Sequence, residues 1–116
     1  MFIADAKLDN GRILLVSDLK FNGTELYDEI REKQALATKR TIVRFLKNYP
    51  KILNKKINIE GKETFNKRLS NKNNELNIFK TIDEQFNILR IGNNDKWPSY
   101  FYKNGIKYII KIFKEN

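Results

Sequence analysis

The first hydrophobic segments of the chain flank a turn signal. Residues 2–8 and residues 12–19 are separated by Asp9-Asn10-Gly11. Asn-Gly tolerates the positive φ angles that tight hairpin turns need. This order predicts an N-terminal β-hairpin in which the aliphatic run of residues 13–16 is the most buried part.

Apolar residues at helical spacing follow over residues 24–48. Thr24 is expected to cap this helical region, and Pro50 is expected to end it. The apolar side chains form two sets, rotated by about 100° around the axis at 3.6 residues per turn. The first set is Leu26, Tyr27, Ile30 and Ala37, and the second is Ile42, Phe45, Leu46 and Tyr49. We therefore expect one bent helix, or two helices that meet near residues 38–41.

The rest of the chain is predicted to be mainly β-structure. Residues 55–60 alternate as a short strand, residues 62–69 suggest a helical turn, and residues 70–74 suggest a loop. Three or four strands are expected beyond that loop, over residues 76–82, 86–91, 99–103 and 106–114. The pattern predicts a single α+β domain over residues 1–116, with the helical region packed on a twisted, mainly antiparallel sheet.

The last two strands predict a hairpin with two different faces. If Asn104-Gly105 closes a two-residue turn, Lys103 lies opposite Ile106. One face, expected to be core, then carries Phe101, Ile106, Tyr108, Ile110 and Ile112. The other carries Tyr100, Tyr102, Lys107, Ile109, Lys111 and Phe113. Such a mixture of aromatics and lysines suits base stacking and phosphate binding, but tyrosine–lysine pairs are also common on solvated sheet faces.

The charge of the chain allows a polyanionic partner. The formal net charge is +9, from 23 Lys/Arg and 14 Asp/Glu. Residues 51–116 carry fourteen basic and seven acidic residues, so most of the excess lies in the C-terminal half of the sequence. Nucleic acid is the polyanion expected first. An AT-rich genome, which favours lysine and asparagine codons, would produce the same charge without any ligand.

The absence of His and Cys excludes several kinds of catalytic and metal site. Without His or Cys the chain has no zinc site of the usual kind, no thiol nucleophile and no imidazole base. Glu60-Gly61-Lys62 resembles the end of a metal-dependent nuclease motif, but the upstream Asp of that motif has no counterpart between Asp28 and Asp83. We predict no metal site and no cofactor. The sequence shows no apolar run near the roughly 18 residues of a membrane span and no signal segment, so a cytoplasmic, non-membrane protein is expected.

Three C-terminal runs resemble the RelE/HigB superfamily of toxins, which also includes MqsR-like toxins. These runs are Ile88-Leu89-Arg90-Ile91, Tyr100-Phe101-Tyr102 and the closing segment of residues 109–114. The resemblance implies a small, basic, metal-free ribonuclease that cleaves mRNA and is silenced by an antitoxin. It covers about thirty residues, and Trp97-Pro98-Ser99 stands where many members have an arginine.

The resemblance also implies roles for particular residues. Arg90 would contact phosphate, Tyr100 or Tyr102 would orient or stack a base, and Lys114 would stabilise charge on the scissile phosphate. The catalytic set is therefore Arg90, Tyr100 and Lys114. The nucleic-acid-binding set is Tyr102, Lys107, Lys111, Phe113 and Lys80.

Two functions follow as hypotheses. The first is a small nucleic-acid-interacting protein with RNA as partner, carrying the endoribonuclease activity of such toxins. The second is a non-catalytic protein of a phage or mobile element that binds and inhibits a host defence enzyme or its nucleic acid. The first requires Arg90, a tyrosine of residues 100–102 and Lys114 to converge in one cleft. The second requires only a contiguous exposed patch.

Overall fold

The N-terminal hairpin forms around a glycine that no other residue could replace. In the computed structural model, which describes residues 1–4, 11–55, 57 and 65–115, strand β1 (Phe2–Ile3) pairs antiparallel with strand β2 (Arg12–Ile13). A Cβ atom on Gly11 would lie 2.5 Å from the carbonyl oxygen of Ile3, so only glycine fits there. The hairpin is confirmed, with shorter strands than expected, and its predicted Asp9-Asn10 turn lies outside the described residues.

A single long helix follows. Helix α1 spans Tyr27–Asn48 without interruption, so the structure has one helix where one or two were expected. It begins later than predicted, because the Thr24 hydroxyl donates to Asn22 Oδ1 and Glu29 accepts from the backbone N–H of Leu26. The prediction of Thr24 as the helix cap is therefore wrong. The helix ends at Asn48, as predicted from Pro50, and a 3-10 helix covers Lys51–Asn54.

The second helix replaces a predicted strand. Helix α2 spans Ile82–Ile91, where residues 86–91 were expected to be extended. Thr81 Oγ1 accepts from the backbone N–H of Glu84, and Glu84 accepts from the backbone N–H of Thr81, which forms a capping box. The predicted strand over residues 76–82 is also absent, although Glu75 forms an isolated bridge with Tyr100. A second 3-10 helix, Asn71–Asn74, occupies the predicted loop.

The C-terminal hairpin has the predicted register. Strand β3 (Ser99–Lys103) pairs antiparallel with strand β4 (Ile106–Ile110), and Lys103 lies opposite Ile106. The turn residues Asn104 and Gly105 have φ angles of 52° and 78°, which is the left-handed geometry that an Asn-Gly turn provides. The fold is thus α+β, with two helices and two small antiparallel two-stranded sheets in the described chain.

Two compact units make up the chain. One comprises Met1–Lys20 and Lys33–Phe65, and its core is formed by Leu14, Leu15 and Ile52. The other comprises Phe21–Glu32 and Asn66–Asn116. Its buried apolar residues are Leu76, Leu89 and Tyr100. The single-domain organisation stays a prediction. The predicted strand over residues 55–60 lies largely outside the described residues, and the described part of the predicted helical turn over residues 62–69, residues 65–69, contains no helix.

The two faces of the β3–β4 hairpin are not divided into core and surface as predicted. Ile106 and Tyr108, expected in the core, are 58% and 45% exposed, whereas Tyr100 on the other face is only 7% exposed. Tyr100 is covered because Glu75 bridges to it and its carbonyl oxygen accepts from the backbone N–H of Leu76. A long-range contact therefore buries Tyr100, while the tips of both hairpin faces stay exposed.

Candidate nucleic-acid interface

The β3–β4 register brings tyrosines and a lysine together on one face. Tyr102 lies directly opposite Lys107, and Tyr100 lies directly opposite Ile109. The Lys107 ammonium sits 3.8 Å from the centre of the Tyr100 ring, which is a cation–π contact. The rings of Tyr100 and Tyr102 meet edge to face at 5.8 Å. Three residues of the sequence-predicted sites are thus adjacent.

The two tyrosines have different environments. Tyr100 is buried, and its hydroxyl lies 3.4 Å from Glu75 Oε2. Burial, and then the charge of Glu75, raise the pKa of Tyr100 above its ordinary value of 10.0. Its phenol therefore stays protonated near neutral pH. Tyr102 is 46% exposed, so its ring is available to a ligand.

A cavity extends this face towards the loop before β3. It has a volume of about 160 Å³. The Asn74 side-chain amide donates to the carbonyl oxygen of Trp97 at 2.6 Å, which fastens the two walls together. Trp97 is partly exposed and packs its ring against Tyr27 at 5.9 Å. The cavity lining combines cations, aromatic rings and amides: Asn71, Asn74, Lys96, Trp97, Pro98, Tyr100, Lys107 and Ile109.

Lys96, Trp97 and Asn74 were not among the predicted site residues. Lys96-Trp97 lies just before a strand rich in tyrosine, and this mixture of a cation and aromatic rings is the local signal that could have indicated the two residues. The approach of Asn74 to Trp97 joins positions 23 apart, and no local pattern indicates it. We call Lys96, Trp97, Tyr100, Tyr102 and Lys107 the aromatic–lysine face.

The remaining residues of the predicted binding set lie elsewhere. Lys111 pairs with Asp95 at 3.2 Å, and both side chains are largely exposed. Phe113 is exposed and lines a different cavity, of about 320 Å³. Lys80 lines a third cavity, between helix α2 and the other face of the hairpin. These residues do not extend the aromatic–lysine face.

The three predicted catalytic residues have separate partners. Arg90 lies on helix α2, where its guanidinium donates to Asn87 Oδ1 at 2.6 Å and to the carbonyl oxygen of Glu25 at 3.2 Å. Lys114 donates to both carboxylate oxygens of Glu29, at 2.7 and 2.6 Å. Tyr100 bonds Glu75, as described above. The cationic groups that would stabilise a phosphate are both engaged within the protein.

Net charge is distributed differently between the units than between the sequence halves. Residues 1–20 and 33–65 carry twelve Lys/Arg and five Asp/Glu, whereas residues 21–32 and 66–116 carry eleven and nine. The division differs because the basic residues between positions 33 and 62 belong to the first unit. The net charge of the second unit therefore does not indicate an anionic ligand at the aromatic–lysine face. The argument for such a ligand rests on the two lysines of that face, Lys96 and Lys107.

Among residues 1–4, 11–55, 57 and 65–115, no cluster of three or more Asp, Glu, His or Cys side chains could hold a metal ion. Neither α-helix in this part of the chain is long and apolar enough to cross a bilayer.

Comparison with known proteins gave no match: no family model, no curated protein and no solved structure is significantly similar to this chain.

Proposed function

We propose that this protein binds single-stranded nucleic acid, RNA foremost, through the aromatic–lysine face. The observation that supports it best is the convergence of Trp97, Tyr100 and Lys107 around one cavity, with Tyr102 directly opposite Lys107 in the hairpin register. The function is exerted in the cytoplasm, where single-stranded RNA is abundant.

The chemistry of the face favours unpaired bases. Proteins that hold single strands stack successive bases on aromatic rings and place cations along the phosphates. Tyr102 and Trp97 present partly exposed rings, and Lys96 and Lys107 supply cations beside them. Neither lysine forms a salt bridge with another described residue, so both are available to phosphate. A duplex would not offer its base faces to these rings.

We propose binding without cleavage. A metal-free ribonuclease of the kind implied by the resemblance needs free cationic groups to stabilise the scissile phosphate. Arg90 and Lys114 are instead held by Glu25 and Glu29. Tyr100 keeps its proton and directs it at Glu75, so it is poorly suited to act as a base.

The experiment is a titration that uses the only tryptophan of the chain. A dye-labelled single-stranded RNA is added to the full chain, and both RNA anisotropy and Trp97 fluorescence are followed. We expect quenching of Trp97 in step with binding, and much weaker binding of a duplex of the same length. Tyr102→Leu should weaken binding by about 1–3 kcal/mol, the usual contribution of one stacked base.

The matched control is Tyr108→Leu. Tyr108 is as exposed as Tyr102, 45% against 46%, and lies on the same hairpin but on its other face. It should leave RNA affinity unchanged. Equal effects of the two variants, or binding without any change in Trp97 fluorescence, would overturn the proposal. RNA that is cut by the wild type and left intact by Lys114→Ala would instead establish the cleavage reaction.

A further inference from the structure

The other face of the β3–β4 hairpin borders an apolar groove. It has a volume of about 470 Å³, nearly three times that of the cavity at the aromatic–lysine face. Helix α2 and the segment before it form one side, and the hairpin forms the other. The lining residues are Leu76, Asn77, Ile78, Lys80, Ile82, Gln85, Leu89, Phe101, Lys103 and Ile110.

The wall of this groove is held in place by one buried amide. Gln85 Oε1 accepts from the backbone N–H of Asn77 at 2.6 Å. Its Nε2 lies within 3.0 to 3.3 Å of the carbonyl oxygens of Asn77, Lys80 and Thr81. Because a single side chain fastens both ends of residues 77–81, the groove is formed before any ligand arrives. A preformed groove lowers the entropic cost of binding.

The elements that form the groove expose large apolar side chains, of which Ile82 lines the groove itself. Phe79, in the segment that Gln85 holds, is 92% exposed, and Ile82 at the start of α2 is 73% exposed. Ile106, which the alternation of the strand predicted to be core, is exposed on the hairpin side. Apolar side chains clustered around a concave site are typical of protein-binding surfaces.

The charged residues of the groove lining indicate the charge of a ligand that would fit it. Its described lining includes two lysines, Lys80 and Lys103, and no acidic residue. Neither ammonium forms a salt bridge with another described residue. A peptide segment with both apolar side chains and carboxylates would match the apolar lining of the groove and its two lysines. Nucleic acid would satisfy only the charge, since the lining has one aromatic ring, Phe101, and is otherwise mainly aliphatic.

We propose that this groove binds an acidic segment of a partner protein, with two or more apolar side chains buried between α2 and the hairpin. The site is separate from the aromatic–lysine face and does not depend on the function proposed for it. Carboxylates of the segment pair with Lys80 and Lys103, and its apolar side chains cover Ile78 and Ile82.

The test is a selection of random 12-residue peptides, displayed on phage, against the full chain. We expect the selected peptides to be enriched in Asp and Glu and to carry several large apolar residues. Synthetic copies should bind at least tenfold more weakly to Ile82→Ser and to Lys103→Glu. Ile109→Ser, which changes an isoleucine on the opposite face that is 61% exposed against 73% for Ile82, should bind them like the wild type.

Several outcomes would overturn the proposal. One is a selection that yields no binder. A second is a set of selected peptides that is not enriched in Asp and Glu. A third is a set of peptides that bind Ile82→Ser and Lys103→Glu as tightly as the wild type. A concentration-dependent dimer in analytical ultracentrifugation that Ile82→Ser abolishes would assign the groove to a second copy of the chain. RNA binding that Lys103→Glu abolishes would assign it to nucleic acid. Because Lys103 is an exposed side chain, its substitution tests the site even if Ile82→Ser impairs folding.

Discussion

Lys114 and Glu29, which are 85 positions apart in the sequence, form an ion pair in which one ammonium bonds both carboxylate oxygens. The pair joins the segment after β4 to the first turn of helix α1. Lys114, and then the backbone N–H of Leu26, lower the pKa of Glu29 below its ordinary value of 4.5. A pair of this kind has a defined signature in the dependence of stability on pH.

The first prediction concerns that signature. Because the folded pKa of Glu29 is lowered, its stabilisation is present above the ordinary value and is lost as the pH falls through the folded value. Lys114→Ala should therefore make the acid side of the stability profile shallower, while the contribution from Leu26 remains. Urea unfolding at a series of pH values between about 3 and 6 measures the profile. Lys107→Ala, which removes a lysine with no carboxylate partner among the described residues, should keep the wild-type shape. Parallel profiles for Lys114→Ala and wild type would contradict the prediction.

The second prediction concerns the salt dependence of RNA binding. Removing one lysine that neutralises a phosphate of single-stranded RNA reduces the slope of log K against log salt by about 0.7. Lys96→Ala with Lys107→Ala should therefore reduce the slope by about 1.4. The measurement is RNA anisotropy at several salt concentrations.

Two double variants are matched controls for this salt series. Lys80→Ala with Lys103→Ala removes the same charge from the apolar groove and should leave the slope unchanged. Lys39→Ala with Lys47→Ala removes two exposed charges from helix α1, in the more basic unit. A slope that responds only to the α1 pair would place the RNA on that helix and not on the aromatic–lysine face.

The third prediction concerns Gln85. Gln85→Leu keeps most of the side-chain volume but leaves the Asn77 N–H without its partner. An unsatisfied buried donor costs about 1–3 kcal/mol, so the free energy of unfolding should fall by that amount. Chemical denaturation measures it, and Asp83→Asn, an exposed change on the same helix, should alter stability by less than about 1 kcal/mol. A change of similar size in both variants would show that the amide does not fasten residues 77–81.

The fourth prediction concerns the hairpin turn. Gly105 has a φ angle of 78°, and a side chain in this left-handed region costs roughly 1–2 kcal/mol. Nothing lies within 4 Å of a Cβ built on it, so Gly105→Ala tests backbone conformation alone. Gly105→Ala should lower the free energy of unfolding by that amount. Asn104→Gly should leave it nearly unchanged, because glycine adopts the positive φ angle of position 104 without strain. Thermal unfolding of the two variants decides the point, and a neutral Gly105→Ala would count against the turn geometry.

The sequence predicted the hairpins and the first helix from local features. Asn104-Gly105 fixes both the turn and the register, because its preference for positive φ is a property of two adjacent residues. Helix α2 was missed because Ile88-Leu89-Arg90-Ile91 is an aliphatic run typical of a strand. The capping signal Thr81-x-x-Glu84 was present and indicated the helix, since it satisfies the first N–H groups whatever the apolar content of the segment.

The site could be predicted only in part, because its burial depends on distant residues. Alternation separated the two faces of the hairpin correctly, so Tyr100, Tyr102 and Lys107 were placed together. It assigned the face of Phe101, Ile106 and Tyr108 to the core, and this was wrong for Ile106 and Tyr108, which are exposed. The burial of Tyr100 depends on Glu75, which bridges to it from 25 positions away. The positions of Arg90 and Lys114 depend similarly on Glu25 and Glu29.

The β3–β4 hairpin is a single layer of backbone, with the aromatic–lysine face on one side and the groove on the other. Residues that alternate along one strand therefore serve two surfaces: Tyr102 faces one, and Phe101 and Lys103 face the other. Linkage requires that any change which a ligand on one face causes in the affinity of the other face be reciprocal and equal in size. A ligand bound at the groove as proposed would therefore be a measurable effector of RNA affinity only if it alters this shared layer.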